Sequence, residues 1–314
     1  MPTIKRVLGS YTQNRPGPLL ICIVGVHGNE QAGIKALDLI FKMLEVEPIT
    51  NPSFTFEGKM ICLQGNLPAI AQNIRFIDQD LNRLWKPEIM YRLEKQGEAD
   101  LTVEEKELKR LRRYIDREIR QWPNDQIYLL DLHTTTASGG IFTLPTEDTQ
   151  TLEIARSMIA PVILGLVERL EGTLLQHYVQ RFTEKAVVGI VFEAGQHDDP
   201  LSVNRTIAAV INYMRTIGSV NSKHIVNRHS DLLKSYARGL PKVARLLYVH
   251  HIEEADQFQM IPGFTNFQKI QKDTLLAHDK NGPIRAACDG LILMPHYQKK
   301  GNDGFFMIIP IAEE

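Results

Sequence analysis

From residue 19 to about residue 217, short apolar runs rich in β-branched residues alternate with longer stretches whose apolar positions recur every three to four residues. The runs read as strands buried on both faces, and the longer stretches as helices that cover them. Strands are predicted over 19–26, 59–65, 127–133, 161–164 and 187–193, with shorter pieces near 140–143 and 173–179. Helices are predicted over 31–44, 103–121 and 201–217, with an N-capped turn at Asn66-Leu67-Pro68; the second opens with a capping box from Thr102 to Glu105. This alternation predicts an α/β fold with a mixed, largely parallel sheet flanked by helices.

After residue 219 the texture changes to short runs, 242–252, 274–278, 284–294 and 305–311, separated by Gly, Pro and Asp clusters. A small β-rich C-terminal domain is expected there, which divides the chain into 1–220 and 221–314, with 221–240 as the connection.

Composition narrows the function classes. Lys plus Arg number 36 against 37 Asp plus Glu, so no overall field draws the chain to nucleic acid or to an anionic membrane. The Lys/Glu-rich stretch 92–120 mixes its signs at helical spacing and reads as a solvated helix face. No run reaches the roughly 20 apolar residues of a spanning helix, and the first residues lack the apolar core of a signal peptide, so a cytoplasmic protein is expected. Cys22, Cys62 and Cys288 sit in or beside apolar runs and read as buried thiols, not a disulfide framework. A homo-oligomer is left open.

Candidate chemistry gathers where apolar runs end. Gly25-Val26-His27-Gly28-Asn29-Glu30 places a His and a Glu three apart where the first of these strands gives way to a helix, and His133 closes the strand 127–133. Both His residues then lie at carboxyl ends of strands, where open α/β sheets build their sites. Two His and one Glu suit catalytic zinc, which keeps three protein ligands and leaves a position for water. The plainer alternative is a strand-to-helix turn in which Gly28 supplies an unusual backbone angle and Asn29 caps the helix.

Three further segments bear on that choice. Residues 73–83 hold Arg75, Asp78, Asp80, Asn82 and Arg83, and arginine suits bidentate recognition of a carboxylate and stabilisation of an oxyanion beside a metal. Asp131 lies two before His133, on the same strand face, where it orients the imidazole or caps backbone. The strand 187–193 ends in a lone carboxylate, Glu193, followed by Ala194-Gly195, a placement suited to a general base that later acts as general acid. His177 and His197 read as hydrogen-bonded loop residues, and the histidines at 224, 229, 250, 251 and 278 show no ligand spacing.

In this order and at these strand ends, the segments containing HGNE, RFIDQDLNR, DLH and FEAG make the chain resemble the succinylglutamate desuccinylase and aspartoacylase family, relatives of the zinc carboxypeptidases. The resemblance spans about residues 19–217 and implies a carboxypeptidase-like fold, one zinc ion and hydrolysis of the amide joining an acyl group to an amino acid. It implies that His27, Glu30 and His133 are the metal ligands, Glu193 the general base and acid, and Arg75 the group that polarises the scissile carbonyl. Asn82 and Arg83 match the pair that holds the substrate's carboxylate, and Asp80 the carboxylate that orients a ligating His. Arg181 and Tyr297 stand nearest to an arginine and a tyrosine expected to read a second carboxylate; the spacing from Arg181 to Glu193 is long, and His296 competes with Tyr297 for the position. The expected partner is a small N-acyl amino acid such as N-succinylglutamate or N-acetylaspartate. The alternatives are a zinc carboxypeptidase on short peptides, or a non-catalytic protein of this fold that binds zinc or a carboxylate.

Overall fold

The computed structural model describes residues 4–225, 227 and 230–312. Its strands are β1 (Val7–Thr12), β2 (Arg15–Val24), β3 (Glu57–Gln64), β4 (Ile127–Thr135), β5 (Phe142–Pro145), β6 (Val162–Leu164), β7 (Val188–Gln196), β8 (Val243–His251), β9 (Gln259–Met260), β10 (Lys269–Ile270), β11 (Leu275–Asp279), β12 (Gly282–Arg285), β13 (Gly290–Leu293) and β14 (Asp303–Pro310). Among the described residues eleven of them form one sheet in the order β1-β3-β2-β4-β7-β5-β6-β8-β14-β13-β10, and β12-β11-β9 form a second. The centre of the large sheet, β3-β2-β4-β7, is wholly parallel, while β5 runs antiparallel to β7. The fold is the mixed α/β arrangement that the apolar pattern predicts.

Alternation along the central strands supplies both cores. Leu20, Cys22, Val24, Leu130, Leu132 and Phe192 point to one face, covered by the helices Gln31–Thr50 and Leu201–Thr216. Leu19, Ile21, Ile23, Leu129 and Val191 point to the other, under Leu108, Leu111, Ile115 and Ile119 of the helix Val103–Gln121. Because side chains repeat every second residue, Asp131, His133 and Glu193 share this second face with Leu129 and Val191. The chain passes from β2 to β3 on one side and later returns to β4 on the other, so β2 ends at a point where the strand order reverses.

Several expectations need correction. The stretch 173–179 is not a strand: Leu174–Gln176 is a helical turn that continues as a π-helical turn over His177–Arg181. Thr173 caps it through its side chain, and Leu174, Leu175 and Tyr178 are buried at a three-to-four spacing that the β-branched ends of the segment disguise. The first helix runs on to Thr50, through Pro48. The stretch 92–120 is not simply solvated, because Glu104, Glu105, Glu107 and Asp116 are buried. The predicted run 284–294 breaks into β12 and β13, and β1 was not foreseen.

The cap predictions hold: Thr102 and Glu105 form both hydrogen bonds of a capping box, and the Asn66 side chain accepts from Ala69 N. Cys22 and Cys62 are buried register partners on β2 and β3, and Cys288 is half-buried; all three are free thiols. The segment from 243 onward adds β8 parallel to β6 and extends the same sheet through β14, β13 and β10. The expected connection 221–240 contains the helix Ser230–Tyr236; its residues 226, 228 and 229, including His229, lie outside the described ones. Among the described residues no helix is long and apolar enough to cross a membrane.

Candidate metal centre and the cavity around it

The turn after β2 is shaped by close packing. A Cβ on Gly28 would lie 2.1 Å from the carbonyl carbon of Ala69, so only glycine lets this turn rest against the helix Leu67–Gln72. Gly28 N donates to Arg75 O at 3.1 Å, which ties the His27 turn to the 73–83 segment. Asn29 does not cap the following helix; Glu30 occupies that position and its side chain turns inward.

Glu30 bridges the two histidines. Its Oε1 lies 2.7 Å from His27 Nδ1 and its Oε2 lies 2.9 Å from His133 Nδ1, and Thr134 N also donates to Oε2 at 3.1 Å. One ligand atom from each of His27, Glu30 and His133 fits within 4.8 Å, and all three residues are buried. The opposite ring nitrogens are engaged as well: His27 Nε2 is 3.0 Å from Asp80 Oδ1, and His133 Nε2 is 3.1 Å from Asp131 Oδ2. Each imidazole thus turns Nδ1 to the shared centre and Nε2 to a carboxylate, the arrangement that fixes tautomer and ring angle in metal sites. Asp131 stands to His133 as Asp80 stands to His27. Two imidazole nitrogens and a carboxylate form the donor set that zinc accepts.

The charges respond to this crowding. Burial acts to raise the Glu30 carboxyl, but His27 and His133 hold it well below the usual carboxylate range. For His133 burial acts downward, and Asp131 and Glu30 overcome it to hold the imidazole well above its ordinary value. Asp80 is likewise held low by His27 and Arg75 against its burial.

Glu193 sits directly opposite His133 in the β4–β7 register. Burial pushes its carboxyl up to about 7, with His133 pulling the other way, and its Oε2 is buried without a hydrogen-bond partner. Arg75 places Nη2 2.9 Å from Asp80 Oδ2 and Nη1 3.7 Å from Glu30 Oε1. The backbone beyond it is held by buried Glu104, which accepts from Ile77 N at 2.7 Å, Asp78 N at 3.0 Å, Gln79 N at 3.3 Å and Asn66 Nδ2 at 2.9 Å. Asn82 N donates to Asp80 Oδ1 at 2.8 Å, and Asn82 Oδ1 accepts from Leu174 N at 2.8 Å. Arg83 donates to Asn82 O and pairs through Nη2 with Asp303.

These residues line one cavity of about 120 Å³, with His27, Glu30, Arg75, Asn82, Arg83, Asp131, His133 and Glu193 in its wall. Arg181 and Tyr297 are not among the lining residues. Arg181 reaches toward Trp85 O at 3.4 Å, and Tyr297 turns its hydroxyl to the carbonyls of Ile261 and Phe264, both at 3.1 Å. His296 lines the cavity in place of Tyr297. His197, expected as a hydrogen-bonded loop residue, is hydrogen-bonded, with Nδ1 2.6 Å from Thr134 Oγ1, but it also lines the cavity and its Nε2 is buried without a partner. Its place four residues past Glu193 was the available signal. The sequence left His296 and Tyr297 as alternatives for the place that His296 takes, and Asp303 carried no signal, being far along the chain from every motif.

Residues 16–217 match the family model described as the succinylglutamate desuccinylase/aspartoacylase catalytic domain. No curated protein matches the chain. Solved structures with similar folds include succinylglutamate desuccinylase from Vibrio cholerae, at 17% identity over 95% of this chain and 82% of that one, with a TM-score of 0.64. A succinylglutamate desuccinylase/aspartoacylase from Rhodobacter sphaeroides is 16% identical over 97% of this chain and 88% of that one, TM-score 0.65. The ectoine utilization protein EutE (DoeB) from Ruegeria pomeroyi is 18% identical over 96% and 87%, TM-score 0.62. At such identities the likeness is one of fold, and the match over 16–217 makes the chain a member of the succinylglutamate desuccinylase/aspartoacylase family.

Proposed function

We propose that the protein is a zinc-dependent amidohydrolase that removes the acyl group from an N-acyl amino acid. The observation that carries this reading is the convergence of His27, Glu30 and His133 within 4.8 Å, with Glu193 opposite His133 on the next strand. His27 and His133, through Nδ1, and Glu30 would hold the ion. Zinc bound there supplies a Lewis acid that polarises a carbonyl and lowers the pKa of water toward about 7.

The protein's own groups do the rest. Glu193 takes a proton from the attacking water and returns it to the departing nitrogen, so that the amide C–N bond breaks to give a carboxylic acid and an amine. Its unpartnered Oε2 and raised carboxyl suit a group that alternates between base and acid. Arg75, whose Nε is buried without a partner, steadies the negative charge that develops on the carbonyl oxygen. Asn82 and Arg83 hold the substrate's carboxylate and so keep the amide in register. Asp80 and Asp131 orient the two imidazoles. In this reading residues 1–220 carry the chemistry, and residues 221–314 supply the wall at His296, Asp303 and Phe306. Arg181 and Tyr297 take no part.

The test is release of free amino acid from a panel of N-acyl amino acids by zinc-loaded protein, with the Glu193→Gln variant alongside. Release by the wild type alone supports the reading. No release from any member, despite stoichiometric bound zinc, overturns it.

A further inference from the structure

We infer that the amino acid released here carries a single carboxylate and an apolar side chain. This deepens the deacylase reading and rests on it.

The cavity contains an apolar wall that the proposed chemistry does not use. On β7, Val191 lies two residues before Glu193 and on the same face, roughly 7 Å along the strand. Its register partners are Asp131 on β4 and Leu144 on β5, and Leu144 faces the same cavity. Val167, Leu170, Leu175, Met294 and Phe306 belong to the same apolar lining.

This wall adjoins the residues proposed to hold the substrate carboxylate. Leu170 and Leu175 flank a turn whose Leu174 N donates to Asn82 Oδ1 at 2.8 Å and whose Gly172 O accepts from Trp85 N at 3.0 Å. A carboxylate held by Asn82 and Arg83 therefore directs the neighbouring side chain of the amino acid toward the leucines. Burying that side chain is favourable because it removes apolar surface from water.

A second carboxylate would find no receptive cation. Among the described residues lining the cavity, the guanidinium groups are those of Arg75 and Arg83. Arg75 is paired with Asp80 and its remaining Nε is assigned to the scissile carbonyl oxygen, and Arg83 is paired with Asp303. Arg83 retains donors for one carboxylate, but Asp303 adds a negative charge beside it. Lys300 is spent on the carbonyls of Phe76 and Ile77, and burial pushes the His296 imidazole down to about 4, so it is neutral near pH 7. A side-chain carboxylate placed against this wall would be desolvated without a cation to compensate it.

The test pairs two measurements on zinc-loaded protein. Calorimetric titration of the Glu193→Gln variant with N-acetyl-leucine, N-acetyl-methionine, N-acetylaspartate and N-succinylglutamate ranks binding without turnover, and amino acid release by wild type ranks hydrolysis. The expected result is that the two apolar compounds bind about tenfold or more tighter than the two acidic ones, the scale on which an apolar pocket discriminates. Equal or tighter binding of the acidic compounds overturns the inference, as does binding of none. If the apolar compounds bind preferentially but none is hydrolysed by wild type, the inference stands as one about the pocket and the deacylase reading fails. Asp303→Asn, which leaves Arg83 less compensated, should shift the ranking toward N-succinylglutamate; an unchanged ranking overturns the part assigned to Asp303.

Discussion

Glu193 and His133 face each other across neighbouring parallel strands, and the carboxyl of Glu193 keeps one buried oxygen without a hydrogen-bond partner. A buried, unsatisfied carboxylate oxygen costs folding free energy, and its position beside the His27–Glu30–His133 cluster gives that cost a use. Glu193→Gln preserves shape and removes the proton acceptor. We expect bound zinc at wild-type stoichiometry and a kcat lower by about 10²-fold or more. Metal analysis and steady-state kinetics on the same preparation check this, and near-wild-type turnover would remove Glu193 from the mechanism.

Asp80 and Asp131 make equivalent contacts to the two imidazoles, although only Asp80 lies in the Arg-rich segment. Asp80→Asn and Asp131→Asn are each expected to weaken zinc binding by about 10–100-fold, because each frees a ligating ring to change tautomer and angle. Competition against a zinc chelator measures it. If only Asp80 matters, the symmetry of the two contacts has no functional weight.

Glu104 links fold to site. It is fully buried and gathers three backbone N–H groups from residues 77–79 together with the Asn66 side chain. Glu104→Ala strands these donors, and we expect a loss of about 3 kcal/mol or more in denaturant unfolding. A fall in kcat/KM should accompany it, because the same backbone positions Arg75, Asp80 and Asn82. Unchanged stability would show that water replaces the carboxylate at no cost.

His177 packs against Trp85 and Tyr178, and burial, aided by Arg112 and Arg181, pushes its imidazole down to about 4 from an ordinary 6.5. Between those values the unfolded chain binds the proton and the folded one does not, so stability present above about pH 6.5 is lost as the pH falls toward 4. His177→Gln should flatten the decline between pH 7 and pH 4.5 by about 2 kcal/mol. Parallel unfolding curves for both proteins at the two pH values measure the difference; identical slopes would place the acid sensitivity elsewhere.

The sequence by itself determined what depends on short-range order along the chain. The apolar runs of β2, β4 and β7 are long, with Asp131 the one charged residue before His133 in β4, so their carboxyl ends could be located, and with them His27, His133 and Glu193. The local exchange of hydrogen bonds that makes Asn66 an N-cap and Thr102 with Glu105 a capping box was legible for the same reason. Where β-branched residues flank a helical turn, as at Thr173 and Val179, local propensity misled, because burial of Leu174, Leu175 and Tyr178 prevails over it.

Only the tertiary structure decided which distant groups meet. The pairing of Arg83 with Asp303, 220 positions apart, and the turning of His296 into the cavity while Tyr297 turns away, follow from how β14 and the loop before it dock on the sheet. Glu104 reads as one more charge on an amphipathic helix until the 73–83 segment folds over it. Side-chain direction at such positions is set by packing partners that no local pattern names, and burial converts an ordinary carboxylate into the anchor of a site.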